Sequence, residues 1–306
     1  MSRFDVIGFG ALNVDKLFKV NRIAAAEEES FVVDYSETCG GSAANTVIGL
    51  ARLGCRVGFI GKVGDDAEGR FLLEDFRKDS VDTNGIKVVK SGRSGKAMGF
   101  VDKEGQRALY IDPGANSTIK IDEVDVNYVS NTKFLHLTSF VGEESFQTQK
   151  RLLERLHKEI KVSFDPGALY ARVGLAKLKT IIDRTFVMMP NSGELELLTG
   201  KTDYETGAKS LIEKGVNVLA VKLGSKGCYV TDGSESHLVE PLKVKVVDTT
   251  GAGDAFDAGF LYGLLSGKDL YECAKIGNCV ASRCIMAMGA RTSLPNLKDL
   301  KSYKLA

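Results

Sequence analysis

The sequence has no tryptophan, few prolines, few histidines and almost no net charge. Its 306 residues include 5 prolines and 3 histidines, and 41 Lys and Arg residues face 40 Asp and Glu residues. His136, His157 and His237 lie far apart and form no HExxH pattern, which excludes a typical zinc hydrolase. A chain this close to neutral has no global field that attracts nucleic acid or an anionic membrane. We therefore expect a small-molecule partner.

Paired cysteines and long apolar runs are also missing. The six cysteines form no CxxC pair, and no apolar run reaches 18 residues. The N-terminal stretch MSRFDVIGFG has one Arg and a short apolar run that predicts a strand. These features predict a cytoplasmic protein whose free thiols are core residues.

Short β-branched runs alternate with amphipathic helical patterns along most of the chain. This alternation predicts an α/β fold of three layers, a mostly parallel sheet with helices on both faces. Residues of about 13–37 and 93–113 instead alternate like strands around polar turns. They predict a small β-strand lid. No linker or repeat divides the chain, so we expect residues 1–306 to form one domain.

The first glycine-rich stretch, GFGALN at residues 8–13, is not a dinucleotide fingerprint. That fingerprint needs a third glycine opening a helix, but Asn13 stands at this position and a strand-like pattern follows. No GxxxxGK[ST] motif occurs either, so a P-loop nucleotide hydrolase is not supported.

The second glycine-rich stretch is CGGSAANTVIGLARLG, residues 39–54. Gly40 and Gly41 would let backbone amides approach a ligand, and Asn45 offers a donor and an acceptor where a helix starts. A turn followed by an ordinary helix cap would explain the same residues. Taken alone, this stretch leaves both interpretations open.

The third stretch, DTTGAGDAFDAGF at residues 248–260, makes a sharper prediction. Gly251, Ala252 and Gly253 would expose successive amides at a helix N-terminus, where anions and especially phosphate bind. An N-capping role explains Asp254, but it does not explain the bare Gly-Ala-Gly before it. We interpret the amides as stabilising a transferring phosphoryl group, and Asp254 as the base that accepts a proton from an attacking hydroxyl.

The motifs GGSAAN and DTTGAGDAFDAGF, about 200 residues apart, resemble the two signatures of the ribokinase-like (PfkB) family of carbohydrate and nucleoside kinases. GALNVD, MPNSGE and VKLGSKG extend the resemblance over essentially the whole chain. It implies a central, mainly parallel sheet, with a small β lid that closes over the acceptor alcohol. It also implies ATP and Mg²⁺ as cofactors.

The resemblance assigns roles by position. Asp254 corresponds to the catalytic base and residues 251–253 to the anion hole. The acceptor side is implied to consist of Asn13, Asp15, Gly40, Gly41 and Asn45. The nucleotide and metal side is implied to consist of Asn191, Glu194, Lys222, Gly224, Gly227 and Asn278, with Glu194 holding Mg²⁺ through water. Asp248 is the candidate for contributing a carbonyl to a K⁺ site.

The chain departs from the family pattern in three places. Lys222 replaces the commoner Thr, Ser42 stands where ribokinases often carry Lys, and Thr138 and Ser139 stand where ribokinase-type sites place a Glu. Simpler interpretations also stay open at two sites. Asn191 and Glu194 could form a capping box, and Asp165 could be a turn residue before Pro166.

We therefore predict an ATP-dependent kinase that phosphorylates a hydroxyl of a small, ribose- or fructose-like sugar. A nucleoside kinase of the same family is the alternative. A sugar sensor without turnover would be expected to have lost the base or the anion hole, and both are intact here. Contacts between lids could also join two copies into a homodimer.

Overall fold

The structure is a computed structural model and describes residues 3–303. In chain order, the strands are β1 (Phe4–Phe9), β2 (Asn13–Val20), β3 (Val32–Gly40), β4 (Val57–Gly64), β5 (Asp82–Val89), β6 (Gly95–Val101), β7 (Arg107–Asp112), β8 (Thr132–Leu137), β9 (Lys161–Phe164), β10 (Thr185–Met188), β11 (Val218–Lys222), β12 (Cys228–Thr231) and β13 (Ser236–Val239). The helices are α1 (Ser42–Arg52), α2 (Ala67–Lys78), α3 (Val126–Val129), α4 (Glu143–Arg155), α5 (Gly167–Ile182), α6 (Ser192–Thr199), α7 (Tyr204–Ile212), α8 (Ala252–Leu265), α9 (Leu270–Cys284) and α10 (Leu297–Ser302).

The larger sheet has nine strands in the order β13-β12-β11-β10-β9-β8-β1-β4-β5. All its pairs from β11 to β5 are parallel, and β12 and β13 add an antiparallel edge. Strand β4 is buried along its whole length, as a strand covered on both faces by helices must be. The predicted mostly parallel α/β architecture is confirmed.

Helices cover both faces of this sheet, and the sheet lies between two hydrophobic cores. One core includes Val47 of α1, Phe256 of α8 and Ile276 of α9. The other includes Leu152 of α4 and Leu178 of α5. The sheet and the two helix layers give the three predicted layers.

The smaller sheet has four strands in the order β3-β2-β6-β7. Its strands come from the two segments predicted to leave the main sheet, with β3 continuing to Gly40. Strand β1 leads through GFGALN into β2 rather than into a helix, so the dinucleotide fold is absent there. We call this sheet the lid sheet.

The carboxyl ends of the parallel strands gather the polar residues of the motifs. Asp165 follows β9, Asn191 lies shortly after β10, and Lys222 ends β11. Open α/β sheets bind ligands at this edge. Within residues 3–303, no helix is both long and apolar enough to span a bilayer, and all six cysteines are free thiols.

Candidate active site

The N-terminus of α8 has a backbone that only glycine supports. Gly251 has φ 76°, in the left-handed region, and a Cβ there would lie 2.4 Å from the Cβ of Ala290. The Ala252 amide donates to the Thr249 carbonyl at 3.2 Å. Within the described chain, the Gly251, Gly253 and Asp254 amides have no hydrogen-bond acceptor, so these three are available to an anion, whereas the Ala252 amide predicted as a donor is already occupied.

Asp254 lies in the first turn of α8, held by groups of α1. The Asn45 amide Nδ2 donates to Asp254 Oδ2 at 2.7 Å, and the Thr46 hydroxyl donates to the Asp254 carbonyl at 3.2 Å. Burial, together with the negative charge of Asp165, raises the pKa of Asp254 to about 7, although Asn45, Lys222 and Arg291 oppose the shift. A carboxylate with this pKa is suited to general-base chemistry near neutral pH.

The predicted acceptor residues lie where the lid sheet joins the main body. Asn13 pairs with Gly40 across β2 and β3, and a Cβ on Gly40 would lie 2.1 Å from Asp15 Oδ2. Burial raises the pKa of Asp15 to about 6 against the charges of Arg291 and Arg107. Glycine at position 40 therefore leaves room for the Asp15 carboxylate.

Gly41 is also required by geometry. It has φ 106°, and a Cβ there would lie 2.1 Å from the carbonyl oxygen of Ala11. This conformation turns the chain from β3 directly into α1, so that Asn45 reaches Asp254. The turn interpretation of the GGSAAN motif is thus confirmed by the geometry at Gly41, and contact of the motif with an acceptor stays a prediction.

Arg291 connects these pieces, and the sequence motifs gave no signal for it. Its Nε donates to Asn45 Oδ1 at 2.7 Å, its Nη2 donates to the Gly40 carbonyl at 3.2 Å, and its Nη1 pairs with Asp75. The side chain is buried. Asn45 is therefore held from one side by Arg291 and holds Asp254 on the other.

Two further residues lie near the predicted acceptor residues but were not assigned to the site from the sequence. Asn116 donates through Nδ2 to Asn13 Oδ1 at 2.9 Å and thereby fixes the Asn13 side chain. Arg107 of β7 lies on the same face of the lid sheet as Asp15 by strand register, and its guanidinium lies close over Gly99. It therefore adds a cation to the face of the lid sheet that carries Asp15.

Lys222 is buried between two carboxylates. Its Nζ lies 2.8 Å from Asp165 Oδ2 and 3.1 Å from Asp257 Oδ1. Burial alone would lower the pKa of Lys222, but the two carboxylates outweigh it and raise the pKa above its ordinary value. Burial also raises the pKa of Asp257 well above normal. Asp165 thus has an ionic role in addition to its turn role, where its Oδ1 accepts the Gly167 amide at 3.1 Å.

This cluster explains how the protein accommodates a lysine at position 222, where the family pattern more often has threonine. A Cβ on Gly253 would lie 3.4 Å from Lys222 Nζ, so the ammonium lies beside the glycine-lined turn at the start of α8. Asp165 and Asp257 offset its charge in the low-dielectric interior. Neither carboxylate was assigned to the site from the sequence, because their partner is distant along the chain.

Asn191 and Glu194 form a capping box at the start of α6. Asn191 Oδ1 accepts the Glu194 amide and Glu194 Oε2 accepts the Asn191 amide, both at 2.9 Å. The structural interpretation of this pair is therefore correct. A bridge between Asn191 and Lys222 also brings the pair to the edge of the site, and burial, reinforced by Asp165, raises the pKa of Glu194.

The other predicted residues on the nucleotide side have structural roles of their own. Gly224 and Gly227 have φ angles of 61° and 85°, in the region that favours glycine. The Asn278 amide donates to the Val239 carbonyl at 2.7 Å. Both carboxylate oxygens of Asp248 accept hydrogen bonds within the protein, from Thr250 and Gly289. Contacts of these four residues with a nucleotide or a cation stay predictions.

Residues 4–297 match the model of the pfkB family of carbohydrate kinases. An uncharacterized sugar kinase of Archaeoglobus fulgidus is 49% identical over 255 residues, covering 82% of this chain and 100% of that protein. The 2-dehydro-3-deoxygluconokinase of Bacillus subtilis is 30% identical and covers 98% of this chain and 95% of its own. The structure of Arabidopsis thaliana ribokinase complexed with ribose and ATP superposes with a TM-score of 0.88 at 26% identity, covering 100% of this chain and 99% of that one.

The fold and these matches define a ribokinase-like sugar kinase, a class of phosphotransferase whose members use ATP. In particular, this chain belongs to the pfkB family of carbohydrate kinases.

Replacing Gly251 by alanine should damage both folding and turnover. The left-handed φ costs an ordinary residue about 1 to 2 kcal/mol, and the new methyl group would lie 2.4 Å from the Ala290 Cβ. We expect a lower free energy of unfolding in urea and about a 100-fold lower kcat, the size of one lost anion-hole donor. Gly253→Ala is the matched control. Its methyl group meets only the flexible end of Lys222, at 3.4 Å, so an equal loss of stability there would contradict this geometry.

Proposed function

We propose that this kinase transfers the γ-phosphoryl group of ATP to a hydroxyl of a small sugar, with Asp254 as the general base. One observation carries the proposal. A buried carboxylate with a pKa of about 7 lies at a glycine-lined helix N-terminus, linked through Asn45 to the predicted acceptor residues.

In the proposed reaction, the acceptor hydroxyl lies between Asp15 and Asp254. Its oxygen forms a bond to the γ-phosphorus while the bond from that phosphorus to the ADP oxygen breaks, and the hydroxyl proton moves to Asp254. The Gly253 and Asp254 amides and the nearby Lys222 ammonium would stabilise the charge on the phosphoryl oxygens. Phosphoryl transfer depends mainly on such positioning and electrostatic stabilisation.

The residues present fit a magnesium ion. Mg²⁺ is commonly held by one or two carboxylates together with substrate phosphates, and Glu194 presents a buried carboxylate at the edge of the site, within electrostatic range of Asp165. Glu194 would hold the ion, which would neutralise charge on the phosphates. For K⁺, the Asp248 carbonyl stays the proposed ligand, because the carboxylate oxygens are already engaged by Thr250 and Gly289.

Two observations bear on the acceptor. The Arg107 cation and the Asp15 carboxylate share the acceptor face of the lid sheet, which is compatible with a sugar that carries both hydroxyls and an acid group. Leu109 and Ile111 lie on the same face and are exposed. These apolar side chains would suit a nucleobase, so the nucleoside kinase stays the second candidate.

A coupled assay of ADP formation tests the proposal. The panel would contain pentoses, ketohexoses, sugar acids and nucleosides, each with ATP and Mg²⁺. We expect turnover with a sugar or sugar acid and none with nucleosides. Turnover with nucleosides alone would refute the sugar assignment but keep the kinase chemistry.

We further propose that the outer face of the lid sheet pairs with a second copy of this chain. Phe18 stacks on Tyr35 and on Phe100, with ring centroids 4.9 Å apart in each pair. Tyr110 continues this aromatic row and is exposed. The row lies opposite Asp15, so a partner here would leave the acceptor side open. The free thiols and the use of ATP support a cytoplasmic location.

A further inference from the structure

Arg291 joins three parts of the molecule at a point next to the proposed base. Its guanidinium contacts Asp75 on α2, the Gly40 carbonyl at the end of lid strand β3, and Asn45 on α1. It is 9% exposed. Its three acceptors match the planar fork of donors that arginine provides and lysine does not.

The contact with Asn45 decides which way the Asn45 amide points. Arg291 can only donate, so the Asn45 oxygen must face it, at 2.7 Å. The Asn45 nitrogen then faces Asp254 and donates at 2.7 Å. A flipped amide would set a donor against the guanidinium and an oxygen lone pair against the Asp254 carboxylate.

We propose that Arg291 is a positioning residue that orients the Asn45 amide so that it holds the Asp254 carboxylate towards the acceptor. The inference rests on the proposed role of Asp254 as the base. Arg291 also donates to the Gly40 carbonyl at the end of β3. Because β3 pairs with β2, which carries Asp15, the same guanidinium fixes the position of Asp254 relative to Asp15.

Several charged or titratable groups lie near Asp254. Lys222 and Arg291 favour its ionised form and Asp165 disfavours it. Asp257 on the same helix and Cys284 on α9 also interact electrostatically with Asp254. Removing Arg291 takes away one cation and releases the Asn45 donor. Both changes favour protonated Asp254, so the acid limb of the activity profile should move to higher pH.

A double-mutant cycle with Arg291→Met and Asn45→Ala tests the proposal. We expect Arg291→Met to lower kcat by about 10- to 100-fold, the size expected for a misplaced catalytic group, with the ATP dissociation constant almost unchanged. In the Asn45→Ala background the same substitution should have little further effect on kcat, because Arg291 acts through Asn45. Equal fold-losses in both backgrounds, or a wild-type kcat in Arg291→Met, would overturn the proposal.

Two further variants separate positioning from folding. Arg184 donates to the carbonyls of Leu153 and His157, contacts within a different part of the fold, so Arg184→Met should lower the melting temperature while the acid limb stays in place. If Arg291→Met does not fold, Arg291→Lys keeps the charge but not the fork. It should still lower kcat and move the acid limb less; a wild-type kcat there would also overturn the proposal.

The inference and the proposed function can fail separately. Normal turnover in Asp254→Asn would refute the assignment of Asp254 as the base, and the inference about Arg291 would fall with it. If Asp254→Asn is inactive but the effects of Arg291→Met and Asn45→Ala on kcat are independent, only the positioning role of Arg291 is refuted and the proposed function stands.

Discussion

Asp254→Asn should lose about 100- to 10,000-fold in kcat, the usual contribution of a general base. The amide is nearly isosteric with the carboxylate but cannot accept the hydroxyl proton. The ATP dissociation constant should change little, because the amides of the α8 turn stay in place. Steady-state kinetics with the acceptor found in the panel, together with calorimetric titration of ATP, would measure both. Near-normal kcat would rule out the assignment.

The pH dependence provides an independent check. The pKa of Asp254 in the folded protein is about 7, above its ordinary value, mainly because of burial. The acid limb of kcat/KM should therefore lie near pH 7 and vanish in Asp254→Asn. A carboxyl whose pKa is raised by folding destabilises the folded state increasingly as pH rises between the two pKa values. Asp254→Asn should thus melt at a higher temperature than the wild type at pH 8, which would show that its lost activity is not caused by unfolding.

Lys222→Met should be the most destabilising of the substitutions considered. It leaves Asp165 and Asp257 buried next to each other without their shared cation. Breaking a buried ion pair by removing one partner costs about 3 to 5 kcal/mol. Urea unfolding at pH 7 would measure this loss.

Two comparisons make the Lys222 result interpretable. Lys179→Met removes an exposed ion pair with Asp183, and such pairs contribute about 0.3 to 0.5 kcal/mol. Lys222→Met/Asp257→Leu should recover part of the stability, because it also removes one of the stranded carboxyl groups. A Lys222→Met variant as stable as Lys179→Met would contradict the buried network.

The fold followed closely from local sequence patterns. The alternation of strands and helices depends on contiguous periodicity, so the mostly parallel sheet and the separate small sheet could be predicted. The edge formed by β12 and β13 was not specified, because nothing in those short runs distinguishes parallel from antiparallel pairing. The start of α8 was identifiable because its backbone requires glycine at position 251 and places Asp254 directly after the turn.

By itself, the sequence determined the glycine-lined turn, its aspartate and the family to which the chain belongs. Only the tertiary structure decided which side chains support them. Asn45 and Asp254 are separated by 209 residues and Arg291 and Asn45 by 246, while Asp165 and Asp257 meet at Lys222 from separate elements. A backbone conformation is set by neighbouring residues and can be read locally. The partner of a buried charge depends on which distant elements the packed core brings together, because burial makes an unpaired charge costly wherever its partner lies in the chain.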